Sequence, residues 1–294
     1  HNTPLVILLL IAFLNFELIS FRGSDNLSIP LGSALLFRYA VFQPTDTFIY
    51  FILMMAIISA GTYLLYRLNV LTRLGSLAAY LVGVYLFGFL GVEWGIPVLF
   101  FFFTSVIFTK IHSVTMNQKR NHSPRNAWQV LANILPALIV SAFYMLSKNP
   151  IYIPLYISLI AAVTADTWAS EIGPVFSRRC FSLSSLRTAT AGISGGISFA
   201  GTLASLVAAF SASIFSYYIF YGNVQITVIL LLTMAGFMAG FVDSALGAFW
   251  EPMLERNSYF STTTAETTEE KISPNDLVNI FGSVSAPFIF LLII

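Results

Sequence analysis

Charged residues are scarce in this chain of 294 residues. Lysine and arginine number 14 and aspartate and glutamate 13, so charged side chains make up 9% of the sequence, against about 25% in soluble globular proteins. Hydrophobic residues make up 57%. This balance excludes a water-soluble enzyme. With a net charge of +1 and no basic-aromatic stripe, nucleic acid is not an expected partner.

Cysteine and histidine are almost absent as well. Cys180 is the single cysteine, which excludes a disulfide framework and a cysteine-based metal cage, and we interpret it as an inert thiol. No Ser-His-Asp arrangement and no zinc-type histidine cluster is present. His112 and His122 fall in one basic stretch and are interpreted as loop residues. Carboxylates, hydroxyls and amides are therefore the groups left for chemistry.

Long apolar runs, separated by glycine, proline and charged residues, fill most of the sequence. At about 20 residues per span, they predict an all-α, polytopic transmembrane helical bundle of about nine spans, with eight and ten as alternatives. We treat residues 1–294 as one integral membrane domain. Segment 29–43 is shorter and carries Arg38, so it is predicted to be re-entrant or interfacial. The predicted spans are 4–20 (a retained span rather than a signal peptide), 48–66, 75–92, 96–110, 127–147, 151–172, 193–221, 226–250 and 277–294.

The basic residues of the predicted loops fall on alternate sides. Loops 67–76, 110–126 and 173–192 hold most of the loop lysines and arginines, whereas the loops between them hold a single lysine. Positively charged loops mark the cytoplasmic side of a membrane protein. We therefore predict that these loops are cytoplasmic, or on the topologically equivalent side. Loop 251–276 belongs to the same set although it is mainly acidic, since acidic residues contribute little to this rule.

Two aspartates lie inside predicted spans, where one carboxylate costs roughly 3 kcal/mol. Asp166 is followed by Ser170 and Glu171 at the inner end of span 151–172, and Asp243 lies about two turns inside span 226–250. A buried carboxylate needs a partner or a metal, so both aspartates predict a functional site. Glu171 is open to two interpretations, a site residue or the polar end of a helix.

Three further stretches place polar groups at the same predicted depth. Gly192–Gly196 is predicted to open a helix whose free N–H groups hold a phosphate; the alternative is a packing seam of small residues. Arg125 is predicted to head a polar helix face at four-residue spacing. In the third stretch, Asn275 or Asp276 caps the last span. The polar residues that extend these stretches inward are Gln129, Asn133, Ser194, Ser198, Thr202 and Asn279.

All five features lie at predicted cytoplasmic helix ends, which argues for one site at the inner membrane interface rather than a path across the bilayer. Clustered carboxylates are typical of Mg²⁺ held on substrate phosphates. Together with arginines and glycine-rich backbone, they indicate phosphoryl or nucleotidyl transfer, where positioning and charge neutralisation dominate. A site at this depth suits a lipid substrate that meets a soluble nucleotide.

Six motifs occur in order over roughly residues 67–294, which we take as the catalytic core, while residues 1–66 add N-terminal spans. The motifs are Leu71–Ala79, Trp128–Asn133, Ala165–Gly173, Ser194–Ser198 with Gly201–Ser205, Asp243–Ala248 and Asn275–Asn279. In them the sequence resembles the plant phytyl-phosphate kinases and their uncharacterised multi-pass relatives in archaea, bacteria and animals. The resemblance implies a nucleotide-dependent kinase, using CTP, that converts a prenyl monophosphate into the diphosphate.

Roles for the candidate residues follow from charge. Asp166 and Asp243, assisted by Glu171 or Asp276, are predicted to hold Mg²⁺ on the nucleotide phosphates. Arg125, with an arginine of the 178–187 stretch, is predicted to neutralise the acceptor phosphate. The candidates for binding substrate and nucleotide are Gln129, Asn133, Ser170, Ser194, Gly195, Gly196, Ser198, Thr202, Arg178, Arg187, Asn275 and Asn279.

Two other functions remain open from the sequence. A CTP-dependent lipid cytidylyltransferase would use the same Mg²⁺ and nucleotide chemistry. A transporter would need polar residues at mid-bilayer and outer depths, and few are predicted there. The expected partners of the kinase are a nucleoside triphosphate, a prenyl monophosphate and membrane lipids.

Overall fold

The structure is a computed structural model that describes residues 45–116, 124–256 and 272–294. Three short strands, β1 Arg179–Ser182, β2 Arg187–Thr190 and β3 Gly196–Ile197, interrupt an otherwise helical chain. The helices are α1 Thr45–Arg67, α2 Arg73–Gly83, α3 Val92–Thr115, α4 Ala127–Ser147, α5 Tyr152–Phe176, α6 Phe199–Tyr221, α7 Ile226–Phe249, α8 Glu251–Glu255 and α9 Pro274–Ile293.

Eight helical segments of the described chain are long and apolar enough to cross a membrane. A π-helical stretch, Val84–Leu90, prolongs α2, and α8 prolongs α7 within one such segment. The eight segments correspond to the predicted spans from 48–66 to 277–294, so the helical membrane bundle is confirmed. The predicted span 4–20 and segment 29–43 lie outside the described residues.

The predicted start of span 193–221 is wrong. Helix α6 begins at Phe199, with the Ser198 hydroxyl accepting a hydrogen bond from the N–H of Gly201 as its N-cap. Gly192 and Gly195 have φ angles of 93° and 69°, in the left-handed region that glycine enters without steric cost. The glycine-rich stretch therefore forms a turn leading into β3, and it does not open the helix.

The predicted helix face headed by Arg125 is also wrong. Arg125 is extended, because its N–H donates to the carbonyl of Val70 and its carbonyl accepts from the N–H of Thr72. This pairing satisfies backbone groups that the first turn of a helix would leave open. Helix α4 begins only at Ala127, so Arg125 shares no helix face with the polar residues that follow it.

Contacts divide the chain into two compact units. The first extends to Val92 and includes Pro124–Ala127; its described part holds α1, α2 and the π-helical stretch. There Phe51 is fully buried against Gly88, where a Cβ would lie 2.7 Å from the phenyl ring. The second unit comprises Glu93–Ser123 and Trp128–Ile294, and it contains the candidate site.

Helix α5 is the centre of the second unit. Every residue from Leu155 to Ala165 is buried, and α5 packs against α6, α7 and α9. Small residues permit this close packing: a Cβ on Gly236 of α7 would lie 2.6 Å from the Cβ of Ala161 and 2.9 Å from its carbonyl carbon. The helices thus meet with their backbones almost in contact.

An aromatic cluster ties the helices together at the end of this unit remote from the strands. The ring of Trp94, at the start of α3, packs against Tyr144, Tyr156 and Phe220 with centroid separations of 4.7, 4.8 and 5.0 Å. The Tyr156 hydroxyl donates to the Trp94 carbonyl. Four helices are therefore joined at this end by rings and one buried hydrogen bond.

The three strands form a small antiparallel sheet in the order β2-β1-β3. Cys180 and Ser182 of β1 are buried, whereas Arg179 and Phe181, which point to the other face, are exposed. In the β1–β2 register Arg179 pairs with Thr190 and Phe181 with Thr188. The sequence does not predict this sheet, because strands of two to four residues carry too few alternations to stand out.

Cys180 is expected to react slowly with maleimide. Its thiol lies 3.3 Å from the carbonyl of Thr190, and burial raises the pKa of the thiol. Since the thiolate is the nucleophile, the rate should be at least about tenfold below that of an exposed cysteine, and should climb only above the pH at which ordinary thiols titrate. Mass spectrometry across a pH series, with the exposed Thr188→Cys as control, measures this; equal rates would contradict it.

Candidate functional site

A polar pocket lies in the second unit among α4, α5, α7 and α9. Its closed space is only about 10 Å³, far below the roughly 300–1,000 Å³ typical of small-molecule sites. This is room for about one water molecule or a bare ion, and not for a nucleotide. The lining residues are Asn133, Ala162, Val163, Asp166, Ala239, Asp243, Asn279 and Ser283.

Four predicted site residues come together in this pocket because their helices place them near one end of the bundle. Asn133 and Asn279 lie six and five residues after the starts of α4 and α9, and Asp243 lies six residues before the end of α7. Asp166 lies ten residues before the end of α5. At 1.5 Å per residue these positions are about 8–15 Å from the helix ends. Asn133, Asp243 and Asn279 are thus nearer the helix ends that carry the sheet, whereas Asp166 lies near the middle of α5 rather than at its predicted inner end.

The carboxyl groups of Asp166 and Asp243 both line the pocket and lie within hydrogen-bonding reach of each other. Two ionised carboxylates this close repel each other, so such a pair needs a shared proton or a bound cation. Opposite them the amides of two helices meet, since the Nδ2 of Asn279 lies 3.5 Å from the Oδ1 of Asn133. The pocket therefore combines a carboxyl pair with an amide pair.

Gly282 brings α9 directly against Asp243. A Cβ at Gly282 would lie 2.8 Å from the Cβ and 3.0 Å from the Cα of Asp243. Only a glycine fits at such distances, so α9 lies close against α7 at the level of the carboxyl pair. Ser283, the next residue, lines the pocket and is buried. Its position four residues after Asn279, on one helix face, was the signal that could have predicted it.

The carboxylate and amide oxygen atoms of the pocket are of the kind that Mg²⁺ prefers. Only some of the predicted ligands are among them. Of the four carboxylates predicted to bind the metal, Asp166 and Asp243 meet, while Glu171 and Asp276 lie elsewhere. Within the described ranges, no three His, Cys, Asp or Glu side chains form a group that could hold a metal. An ion here would depend on two carboxylates and on oxygen atoms of a substrate, which is how Mg²⁺ is commonly held.

Glu171 links α5 to α3. Its carboxylate accepts a hydrogen bond from the Thr109 hydroxyl at 2.6 Å, and its other oxygen lies 2.7 Å from the Nδ1 of His112. His112 is helical, because α3 continues to Thr115, so its interpretation as a loop residue is wrong. The spacing of Thr109 and His112, three apart on one helix face, was the available signal.

Replacing Glu171 by alanine is expected to destabilise the protein by about 1–3 kcal/mol, because Thr109 and His112 each lose a hydrogen-bond partner in a half-buried place. Thermal unfolding in detergent measures this. The matched control is Glu93→Ala, which removes an exposed carboxylate and should change stability by less than about 0.5 kcal/mol. Equal unfolding temperatures for the two variants would contradict the link between helices.

Asp276 is part of the N-terminal cap of α9. Its carboxylate accepts from the N–H of Ser273 at 2.7 Å, and the Ser273 hydroxyl accepts from the N–H of Asp276 at 3.1 Å. This reciprocal pattern is a capping box. The prediction that Asn275 or Asp276 is the capping residue is therefore wrong, since Ser273 holds that position. Asn275 is exposed.

The glycine-rich turn is fastened to the end of α7. The Ser194 hydroxyl donates to the carboxylate of Glu251, and a Cβ on Gly195 would lie 2.6 Å from the Cα of Ala248. Glu251, whose charge acts on Asp243, was not a predicted site residue. Its position two helical turns after Asp243 was a signal for it. Because Ser194 faces a carboxylate, its surroundings do not favour a phosphate.

The remaining candidates lie outside the pocket lining. Ser170 is exposed and donates to the carbonyl of Thr167, and Arg125 belongs to the first unit. Gly196 begins β3, Ser198 caps α6, and Thr202 lies in the first turn of that helix. Arg178 and Arg187 are exposed at the sheet, and Gln129 is exposed at the start of α4.

The amino-acid sequence is similar to those of known membrane proteins. Residues 56–286 match the family described as "Integral membrane protein DUF92". An uncharacterised membrane protein of Methanocaldococcus jannaschii is 30% identical over 178 residues, 60% of this chain and 73% of the relative. An uncharacterised membrane protein of Synechocystis sp. is 26% identical over 190 residues, 61% of this chain and 72% of the relative. No solved structure matches the chain.

Proposed function

Since this chain belongs to the DUF92 family of integral membrane proteins, we propose that it is a membrane-embedded kinase acting on a lipid. It transfers the γ-phosphoryl group of a nucleoside triphosphate, CTP, to a prenyl monophosphate such as phytyl or geranylgeranyl phosphate, giving the diphosphate. The observation that carries the proposal is the carboxyl pair of Asp166 and Asp243 in a polar pocket near one end of an apolar bundle. The six motifs shared with the phytyl-phosphate kinases supply the substrate class.

The residues of the pocket match the needs of phosphoryl transfer. Asp166 and Asp243 are placed to hold Mg²⁺, whose charge on the triphosphate oxygens offsets the repulsion between donor and acceptor. Asn133 and Asn279 offer amide donors to a phosphate oxygen in the same pocket. Because the closed part of the pocket has room for little more than an ion, the nucleoside and the prenyl tail stay outside it, and the phosphates approach from its mouth.

The reaction requires no strong base. An oxygen of the prenyl phosphate, already ionised, forms a bond to the γ-phosphorus while the bond from that phosphorus to the β-phosphate oxygen breaks, and the nucleoside diphosphate leaves with the electron pair. A pocket lined by carboxyl, amide and hydroxyl groups is sufficient for this step. Arg125, Arg178 and Arg187 stay predictions for the cation that meets the acceptor phosphate.

Transport is the second candidate, and one observation favours it. A carboxyl pair that shares a proton inside a membrane span is typical of proton-coupled carriers, where intramembrane carboxylates mark the path. Against it stands the position of Asn133, Asp243 and Asn279, which lie nearer one set of helix ends than the other, although Asp166 is near the middle of α5.

One experiment distinguishes the functions. Purified protein is incubated with Mg²⁺, phytyl phosphate and CTP or ATP, each labelled separately at the α- or γ-phosphate. Transfer of γ-label into phytyl diphosphate, lost in EDTA and in Asp243→Asn, is the expected result. Release of pyrophosphate with α-label in the lipid would assign a cytidylyltransferase instead. No transfer, with proton-dependent uptake in vesicles, would assign a transporter.

A further inference from the structure

The small sheet lies at the boundary of the membrane. Helices α5 and α6, which lead into it and out of it, have 25 and 23 residues and are about 37 and 34 Å long. The hydrocarbon core of a bilayer is about 30 Å thick. Both helices therefore end only a few ångströms beyond the hydrocarbon, and the chain between Phe176 and Phe199 lies at the depth of the lipid head groups.

One face of this sheet is covered and the other is open. The covered face carries Cys180 and Ser182, both buried, and Gly196, where a Cβ would lie 2.7 Å from the Cys180 sulfur. The open face carries Arg179, Phe181, Thr188 and Thr190, all exposed. The register of β1 with β2 places these four side chains on the same side.

The open face combines positive charge with large apolar side chains. Phe181 is 45% exposed and Leu186, in the turn that joins β1 to β2, is 70% exposed. Leu186 also has a φ of 52°, a conformation that residues with bulky side chains rarely adopt. Exposure of the Leu186 side chain to water is unfavourable, whereas contact with an apolar surface would bury it favourably.

The charge of this segment has one sign. Between Ile172 and Ser198 the sequence contains three arginines and no aspartate or glutamate. All three arginines, Arg178, Arg179 and Arg187, are exposed. Basic residues interleaved with exposed aromatic and aliphatic side chains at a membrane boundary are the composition that binds anionic lipid surfaces.

We propose that the open face of the sheet docks on the anionic phospholipid head groups of the membrane in which the protein lies. Arg179 pairs with lipid phosphates from the open face, while Phe181 and Leu186 enter the edge of the hydrocarbon. Arg178, just before β1, and Arg187, which the register places opposite Ser182, are exposed and add to the positive charge of the segment. The sheet then holds the glycine-rich turn and its Ser194–Glu251 contact at a fixed depth. This role does not require the proposed kinase activity, but it competes with the prediction that Arg178 or Arg187 binds the acceptor phosphate.

The chain's own acidic stretch is the competing occupant, since Glu266, Glu269 and Glu270 could pair with the arginines. Its sequence, Ser261–Lys271, contains no aromatic side chain and no aliphatic one larger than alanine. It therefore offers nothing to Phe181 and Leu186. A bilayer interface supplies both the phosphates and the apolar surface, which is why we favour it.

The test uses the full chain in vesicles. Thr188→Cys, exposed on the open face, is labelled with a fluorophore; the buried thiol of Cys180 competes poorly for the reagent. Quenching is compared between phosphatidylglycerol and phosphatidylcholine that each carry a doxyl group on the acyl chain near the glycerol. The expected result is several-fold stronger quenching by phosphatidylglycerol at 0.1 M salt and no preference at 1 M, since salt screens such contacts.

Matched variants identify the groups responsible. Replacing Arg178, Arg179 and Arg187 by glutamine should remove the preference, each arginine accounting for up to about fivefold of local enrichment. Lys148→Gln, at the other end of the bundle, should leave it unchanged. Leu186→Asn should lower quenching by both lipids alike.

Three results would overturn the proposal. Equal quenching by the two lipids at low salt excludes docking on anionic head groups. Glu266, Glu269 and Glu270 are also replaced by glutamine. If this creates the preference for phosphatidylglycerol or enlarges it several-fold, the chain's own segment occupies the face. Loss of the preference in millimolar inorganic phosphate, but not in chloride of equal ionic strength, shows that the arginines bind one discrete phosphate, as the acceptor-binding prediction requires.

Discussion

Replacing Asp166 by asparagine is expected to lower the rate of lipid phosphorylation by about a thousandfold or more, because the pocket loses one of its two carboxylates and with it the charge that holds Mg²⁺ on the triphosphate. The protein should stay folded. Asparagine has nearly the shape of aspartate, and its amide can donate to Asp243 without a shared proton. The thermal unfolding temperature should therefore be unchanged or raised.

Turnover with γ-labelled CTP measures this, with Asp243→Asn as the parallel variant. The double variant should be no slower than the slower single variant, since residues that act as a unit are not additive. Glu93→Gln makes the same chemical change at an exposed carboxylate and should retain full activity. Near-normal turnover in Asp166→Asn would contradict the assignment of Asp166 as a metal ligand.

Replacing Gly282 by valine is expected to cause a large loss of stability. Its Cβ would lie 3.0 Å from the Cα of Asp243, a backbone atom that cannot rotate away. Overpacking of this kind costs roughly 1–3 kcal/mol and sometimes more. Because α9 must then move away from α7 at the level of the carboxyl pair, activity per folded molecule should fall as well.

Two glycine variants serve as comparisons for this result. Gly61→Ala places a Cβ where nothing lies within 4 Å, so stability should stay the same or rise by up to about 1 kcal/mol, as for other helical glycines. Gly236→Ala meets Ala161, about 10 Å along α7 from Asp243; it should destabilise the protein while sparing activity per folded molecule. Thermal unfolding and turnover are measured together. A stable, active Gly282→Val would contradict the close contact.

The membrane spans were predictable because long apolar runs leave a chain no other fold in a bilayer. The meeting of Asp166 with Asp243 was predictable in outline too, since an isolated carboxylate inside a span is unfavourable. Their exact partners were not. Which face of α5 turns toward which helix depends on side-chain packing, so Glu171 pairs with Thr109 and His112, although it lies only five residues after Asp166 on the same helix.

The conformations of the loops were less predictable from the sequence than the helices. Backbone pairing with Val70 and Thr72 keeps Arg125 extended, and no local pattern around Arg125 indicates a partner some 55 residues earlier in the chain. The glycine-rich turn looked helical because serines recur at helical spacing, yet positive φ angles at Gly192 and Gly195 interrupt it. In both places long-range contacts outweigh local pattern.

Helix α5 is also made before the three helices that cover it. Its buried stretch from Leu155 to Ala165 faces α6, α7 and α9, which all follow it in the chain and leave the ribosome later. During synthesis Asp166 enters the membrane without Asp243, at a cost of roughly 3 kcal/mol, and the apolar residues of α5 alone must hold the segment there. Insertion thus comes first, and the carboxyl pair forms only when the finished helices assemble.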